Sequence, residues 1–64
     1  MNKLPATEFE KGFICAVSIM FRSHGLGVAA TEALRDLGAE RIDPMSIDEA
    51  DRETLVRFQK EGTL

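Results

Sequence analysis

Few side chains in this sequence could carry acid–base or nucleophilic chemistry. There is one histidine, His24, and a histidine can act as a general base near neutral pH. No nucleophile lies at a sequence spacing that would recruit it. His24 instead precedes Gly25 at an expected helix end, where a positive group complements the helix dipole. We therefore interpret His24 as a structural residue.

The single cysteine, Cys15, lies inside an apolar run. Reactive thiols have a pKa lowered by a nearby cation or a helix N-terminus, so we interpret Cys15 as a small buried or interfacial side chain. If its helix pairs with a second copy, Cys15 could face its own copy. One cysteine and one histidine form neither an intramolecular disulfide nor a structural zinc site. We expect no metal site and no cofactor.

An acidic group follows Ser46 and could suggest a divalent cation site or paired catalytic carboxylates. The segment has no glycine-centred EF-hand loop, and acids in a first helical turn stabilise the helix N-terminus without a ligand. We predict that these residues form a solvated face: Asp48, Glu49, Asp51 and Glu53. Since Gly25-Leu26-Gly27 also lacks the strand and lysine of a phosphate loop, we expect a protein that is not an enzyme.

Capping residues and apolar periodicity predict a single all-α domain of three helices, at about 8–24, 28–37 and 47–61. Thr7 and Glu10 form a capping box before the first helix, and Ser46 and Glu49 form a second before the third. Glycine follows each helix and suits its C-terminus. The short connector after the first helix predicts an antiparallel hairpin with the second. The third helix is acidic and lies across the pair or across a partner subunit.

Apolar spacing also assigns a buried face to the two shorter helices. In the second helix the face consists of Ala30, Ala33, Leu34 and Leu37. In the third it consists of Ile47, Ala50, Leu55 and Phe58, whereas Val56 points the opposite way. Ile42 should seal the intervening loop against the core.

The first helix is too apolar for a chain of this length. Between Phe13 and Phe21 the only polar side chain is Ser18. Wound as a helix, the apolar residues cover an arc of roughly 220°, whereas a surface helix needs a little over 100°. The remaining side holds Lys11, Cys15, Ser18 and Arg22. The arc predicts a self-association interface made of Phe13, Ile14, Val17, Ile19, Met20 and Phe21.

Chain length points to the same conclusion. A domain of 64 residues buries about 60% of its unfolded surface and is marginally stable without a disulfide, a metal or a partner. The first two are missing from this sequence. We therefore expect a homo-oligomer.

Charge and hydropathy limit the other possible partners and the cellular compartment. The net charge is −3, which argues against nucleic acid as the main partner. The N-terminus lacks the apolar segment of a signal peptide, and no apolar run approaches the roughly 20 residues of a membrane span. Together with the single cysteine, the lack of a signal peptide and of a membrane span predicts a cytoplasmic protein. A candidate face for another protein lies on the third helix: Asp48, Asp51, Arg52 and Val56.

A helix–turn–helix outline keeps one alternative open, a transcription-related regulator acting on or near DNA. A recognition helix presents Arg, Lys, Asn or Gln to base edges. The second helix offers Thr31, Glu32, Arg35 and Asp36. Basic contacts would have to come from Arg52, Arg57 and Lys60. We therefore rank DNA regulation below protein binding.

Three stretches resemble small orphan proteins from the accessory regions of temperate phages and prophages. They are Arg22-Ser23-His24-Gly25 at the end of the apolar helix, residues 30–38, and Ile47-Asp48-Glu49-Ala50-Asp51 at the start of the last helix. The resemblance covers most of the chain. It implies a short, all-helical, cysteine-poor protein that binds a host protein in the bacterial cytoplasm and modulates a host process. It assigns a role to no individual residue.

Overall fold

The computed structural model describes residues 2–64, and these fold as the predicted all-α arrangement of three helices. Helix α1 spans Glu8–His24, α2 spans Gly27–Leu37, and α3 spans Glu49–Glu61. Two short 3-10 helices, Ala39–Arg41 and Pro44–Ser46, occupy the loop before α3. The bounds of α1 are those predicted, α2 begins one residue earlier, and α3 begins two residues later.

The capping box before α1 is confirmed. The Thr7 hydroxyl accepts a hydrogen bond from the Glu10 backbone N–H at 3.1 Å, and the Glu10 carboxylate accepts one from the Thr7 N–H at 2.9 Å. At the other end Gly25 adopts φ 66°, a left-handed conformation that favours glycine. Its N–H reaches the Phe21 carbonyl at 3.0 Å. Local sequence therefore sets both ends of α1.

The capping box predicted before α3 is wrong. The Ser46 hydroxyl donates to the Asp43 carbonyl at 2.7 Å and accepts from the Ala6 N–H at 2.8 Å, so it is not available to α3. The Asp43 side chain caps the 3-10 helix at Pro44 instead. Ile47 is extended, and α3 starts at Glu49.

The later start takes Ile47 out of α3 and narrows the buried face of the helix. The buried positions are Asp51, Thr54, Leu55 and Phe58, whereas Ala50 is exposed. The predicted face was chosen to include Ile47, which packs into the core from the loop rather than from the helix. Asp51 lies on the same face, four residues before Leu55 and seven before Phe58, so the buried stripe includes it.

All three helices and the loop contribute to one core. Ala30 and Leu34 of α2 are buried against α1, and the connector of Gly25 and Leu26 brings α2 back onto it. Ile42 is fully buried, as predicted. The core consists of Ile14, Val17, Ala30, Leu34, Ala39, Ile42, Ile47, Leu55 and Phe58.

The N-terminal segment is tied to the loop between α2 and α3. The Leu4 N–H donates to the Arg41 carbonyl at 2.8 Å, and the Asp43 N–H donates to the Leu4 carbonyl at 2.7 Å. From α3, the Gln59 amide donates to the carbonyls of Ala39 and Ile42 at 2.9 and 2.6 Å. The two bonds from Gln59 give partners to carbonyls of the buried residues Ala39 and Ile42.

Candidate interaction surface

Helix α1 has a buried face and an exposed apolar face. The buried residues are Glu10, Ile14, Val17 and Ser18. On the other face the exposed fraction is 71% for Phe9 and 47% for Ile19. At 100° per residue the exposed apolar positions fall within an arc of roughly 120°. We call this surface the open stripe; it consists of Phe9, Gly12, Ala16 and Ile19, with the half-buried Phe13 and Met20 beside them.

The predicted self-association residues divide between the core and the open stripe. Ile14 and Val17 are 0% and 5% exposed and belong to the core of the chain itself. They are therefore not part of the proposed interface. Phe21 is half-buried and lies under the Arg57 guanidinium, 5.7 Å from the centre of its ring. Ile19 lies in the open stripe, and the half-buried Phe13 and Met20 lie beside it. Phe13 also packs against the core.

Phe9 is the large residue that the predicted interface left out. Its ring centre lies 5.9 Å from that of Phe13, which makes the two phenylalanines one aromatic surface. The signal was available, because Phe9 stands four residues before Phe13 and seven before Ala16, on the same side of a helix.

The side of α1 outside the predicted apolar arc is partly covered by α3. Ser18 is fully buried, and one Arg22 guanidinium nitrogen lies 3.3 Å from an Asp51 carboxylate oxygen. Among residues 2–64, the buried Ser18 hydroxyl has no hydrogen-bond partner. Small side chains at Cys15 and Ser18 let α3 approach this side closely.

Two of the four residues in the candidate partner face on α3 are engaged within the chain. Asp51 is 3% exposed, paired with Arg22, and is not part of a solvated acidic face. The Arg52 guanidinium donates to the carbonyls of Pro44 and Ile47 at 3.1 and 3.2 Å, so it braces the loop. Asp48 is exposed, and Val56 is 43% exposed on the side predicted for it.

Cys15 opens onto a groove of about 550 Å³ between α1 and the residues that lead into α3. The nearby charge of Asp51, followed by burial, raises the pKa of the Cys15 thiol above its ordinary value of 9.0. A thiol held in its protonated form is a poor nucleophile. Cys15 points roughly 100° away from the middle of the open stripe.

Glu10 joins the start of α1 to the loop. Its carboxylate lies 2.6 Å from an Arg41 guanidinium nitrogen. The hydrogen bond from the Thr7 backbone N–H, together with that from Arg41, lowers the pKa of Glu10 below its ordinary value of 4.5. Because it is held in its charged form, this buried carboxylate stabilises the fold rather than performing acid–base chemistry.

Other candidate chemistry has little geometric support. His24 is exposed in the last turn of α1, as predicted. Residues 2–64 hold no group of three His, Cys, Asp or Glu side chains placed to bind a metal ion. No helix in this part of the chain combines the length and apolarity needed to cross a bilayer.

Comparison with protein-family models, with curated proteins and with solved structures finds no match for this chain. The geometry of the chain itself is therefore the basis for inferring its function. The open stripe is a feature that packing within the chain does not explain.

Proposed function

We propose that this protein is a non-enzymatic interaction module that assembles with itself through the open stripe of α1. The observation that carries the proposal is the exposure of Phe9 and Ile19 on one contiguous apolar surface. Single exposed apolar residues are ordinary, but a contiguous apolar patch marks an interaction site. Covering it would contribute about 25 cal/mol for each Å² of apolar surface removed from water.

A second copy of the chain is the simplest partner. The core has nine buried apolar side chains, and residues 2–64 contain neither a disulfide nor a cluster suited to a metal. Small domains of this kind gain stability by association. Self-association therefore explains both the open stripe and the persistence of a small fold.

The resemblance to phage accessory proteins extends the proposal to a host protein. In that extension the assembled protein binds its host partner in the bacterial cytoplasm through surfaces that the open stripe does not use. Val28 at the start of α2 is 77% exposed, and Val56 on α3 is 43% exposed. These side chains are available for a second contact.

The alternative of a regulator acting on DNA has weaker support. Of its three candidate basic contacts, Arg52 is hydrogen-bonded to loop carbonyls and Arg57 lies over Phe21. Lys60 is the remaining one. Binding to the phosphate backbone of DNA requires a cluster of basic side chains, and these three positions do not provide one.

Light scattering coupled to gel filtration tests the proposal with a matched pair of variants. Ile19→Glu places a charge in the open stripe, whereas Val28→Glu places the same charge on an exposed apolar position of α2. We expect an oligomer for the wild type and for Val28→Glu, and a monomer for Ile19→Glu. A wild-type protein that is monomeric at every concentration would contradict the proposal, as would equal loss of assembly in both variants.

A further inference from the structure

We propose that two copies pair through α1 in an antiparallel orientation and cross where Gly12 of one copy meets Ala16 of the partner subunit. This inference rests on the proposed self-association and adds its geometry. It names the residues at the crossing and the orientation of the two helices.

Gly12 is the observation that points to a close approach from outside the chain. A glycine in the middle of a helix is unfavourable relative to alanine, and a Cβ added at Gly12 would meet nothing within 4 Å. The other glycines have reasons within the chain. Gly27 packs against the Leu64 carbonyl, with an added Cβ 3.0 Å from its oxygen, and the remaining three, at helix ends, have positive φ: Gly25, Gly38 and Gly62.

Gly12 and Ala16 lie one turn apart on the open stripe, between the larger Phe9 and Ile19. Helices approach most closely where the side chains at the contact are small, and larger residues pack on either side of the crossing. A two-fold axis that pairs Gly12 with Ala16 of the partner subunit also pairs Phe9 with the partner's Ile19. Each copy then supplies the same patch, as a closed dimer requires.

Charge favours the antiparallel orientation. Glu8 and Arg22 are about four turns apart and lie on the same flank of the stripe. The Glu8 side chain is 92% exposed and lies 3.1 Å from Lys11, and that of Arg22 is 44% exposed and lies 3.3 Å from Asp51, so each keeps a surface that a second charge can reach. Antiparallel pairing brings Glu8 near Arg22 of the partner subunit at both ends and opposes the helix dipoles. Parallel pairing would gather both acidic first turns at one end.

Disulfide cross-linking between two variants tests the orientation. Both carry Cys15→Ser, and one carries Gly12→Cys while the other carries Ala16→Cys. After the chains are mixed and oxidised, we expect the mixed cross-link to exceed either like-with-like cross-link, because a disulfide requires Cα atoms within about 7 Å. Dominant cross-linking between two Gly12→Cys chains, or no cross-link at all, would overturn the antiparallel crossing.

The mass of the Cys15→Ser parent separates the two proposals. A parent that is monomeric at all concentrations removes the self-association on which this inference depends. A dimeric parent with the wrong cross-linking pattern removes the antiparallel crossing alone.

A bulky substitution tests the close approach. Gly12→Leu should fold, since the space beside Gly12 is open, and helical content by circular dichroism checks this. We expect its dimer to dissociate at a concentration roughly tenfold higher or more. Glu53→Leu, at an exposed position of α3, is the matched control and should leave the dimer unchanged. An unchanged dimer in Gly12→Leu would overturn the crossing.

Discussion

Ile14 on the buried face of α1 and Ile19 on the open stripe have the same side chain, yet only Ile14 is covered. Ile14 is 0% exposed and Ile19, five residues later, is 47% exposed. Hydrophobicity alone does not separate them, because both lie on the same broad apolar arc. The difference lies in how much surface two short helices and a loop can reach. This chain has more apolar helix surface than its other elements can cover.

Burial on α1 also fails to follow polarity. Ser18 is fully buried, whereas Phe9 is 71% exposed. Docking of α3 decides this, because the Arg22–Asp51 pair and the small side chain of Ser18 draw α3 onto the more polar side. A polar position can therefore be structural while an aromatic one is available for binding.

The largest expected effect separates the two isoleucines. Ile14→Ala should lower the free energy of unfolding by about 2–5 kcal/mol, since it leaves a cavity in the core. Ile19→Ala should change the stability of the isolated chain by less than about 1 kcal/mol. Urea unfolding at several protein concentrations measures both. Ile19→Ala should lower the free energy of unfolding mainly at concentrations where the wild type is associated. An equal decrease for both variants at every concentration would contradict the difference between the two faces.

A smaller effect of opposite sign is expected at Ser18. Ser18→Ala removes a buried hydroxyl that has no partner, so the protein should gain about 1 kcal/mol in free energy of unfolding. Ser23→Ala, at an exposed position on the same helix, should yield only a few tenths of a kcal/mol from helix propensity. Thermal or urea unfolding gives both values. A loss of stability in Ser18→Ala would show that the hydroxyl is bonded after all.

The buried face should also respond to acid through Glu10. Its pKa is lowered in the folded state, chiefly by the Thr7 backbone N–H and then by Arg41. The stabilisation is therefore fully present above the ordinary value of 4.5 and is lost as the pH falls through the lowered pKa. Urea unfolding at neutral and acid pH should show a smaller acid-induced loss for Glu10→Gln than for the wild type. Identical pH profiles would contradict this role.

The smallest effect concerns the groove beside Cys15, which Gly12 at the edge of the open stripe also lines. Asp51 is the main cause of the raised thiol pKa, so Asp51→Asn should increase the thiolate fraction and the rate of alkylation at about pH 8. Arg22→Gln should slow alkylation, because the Arg22 charge lowers that pKa. Glu53→Gln serves as a neutral control. A rate that Asp51→Asn leaves unchanged would contradict the assignment.

Much of the fold could be predicted from local sequence. Thr7 and Glu10 cap α1, the glycine after each helix ends it, and Ala30 and Leu34 mark the packed face of α2. These features depend on neighbours in the sequence, so periodicity and capping rules identify them.

The errors arose from long-range contacts. Ser46 was assigned to α3, but its hydroxyl bonds Ala6, forty residues away in the chain. Asp51 was placed in solvent although it stands four residues before Leu55 and seven before Phe58, on the predicted buried face of α3. Its ion pair with Arg22 of α1 is the long-range contact that the sequence does not indicate. The sequence also does not indicate which part of α1 the other helices cover. Ile14 and Val17 were therefore placed in the predicted interface. The width of the apolar arc could be predicted, but which part of it remains open could not.

Hydroxyl-radical footprinting of the wild-type protein across concentrations tests the account most directly. Phe9 and Met45 are exposed to almost the same degree, 71% and 70%, but only Phe9 belongs to the open stripe. Self-association through this stripe predicts that oxidation of Phe9 falls as concentration rises, while oxidation of Met45 stays constant. Constant oxidation of Phe9, or an equal decrease at both residues, would contradict it.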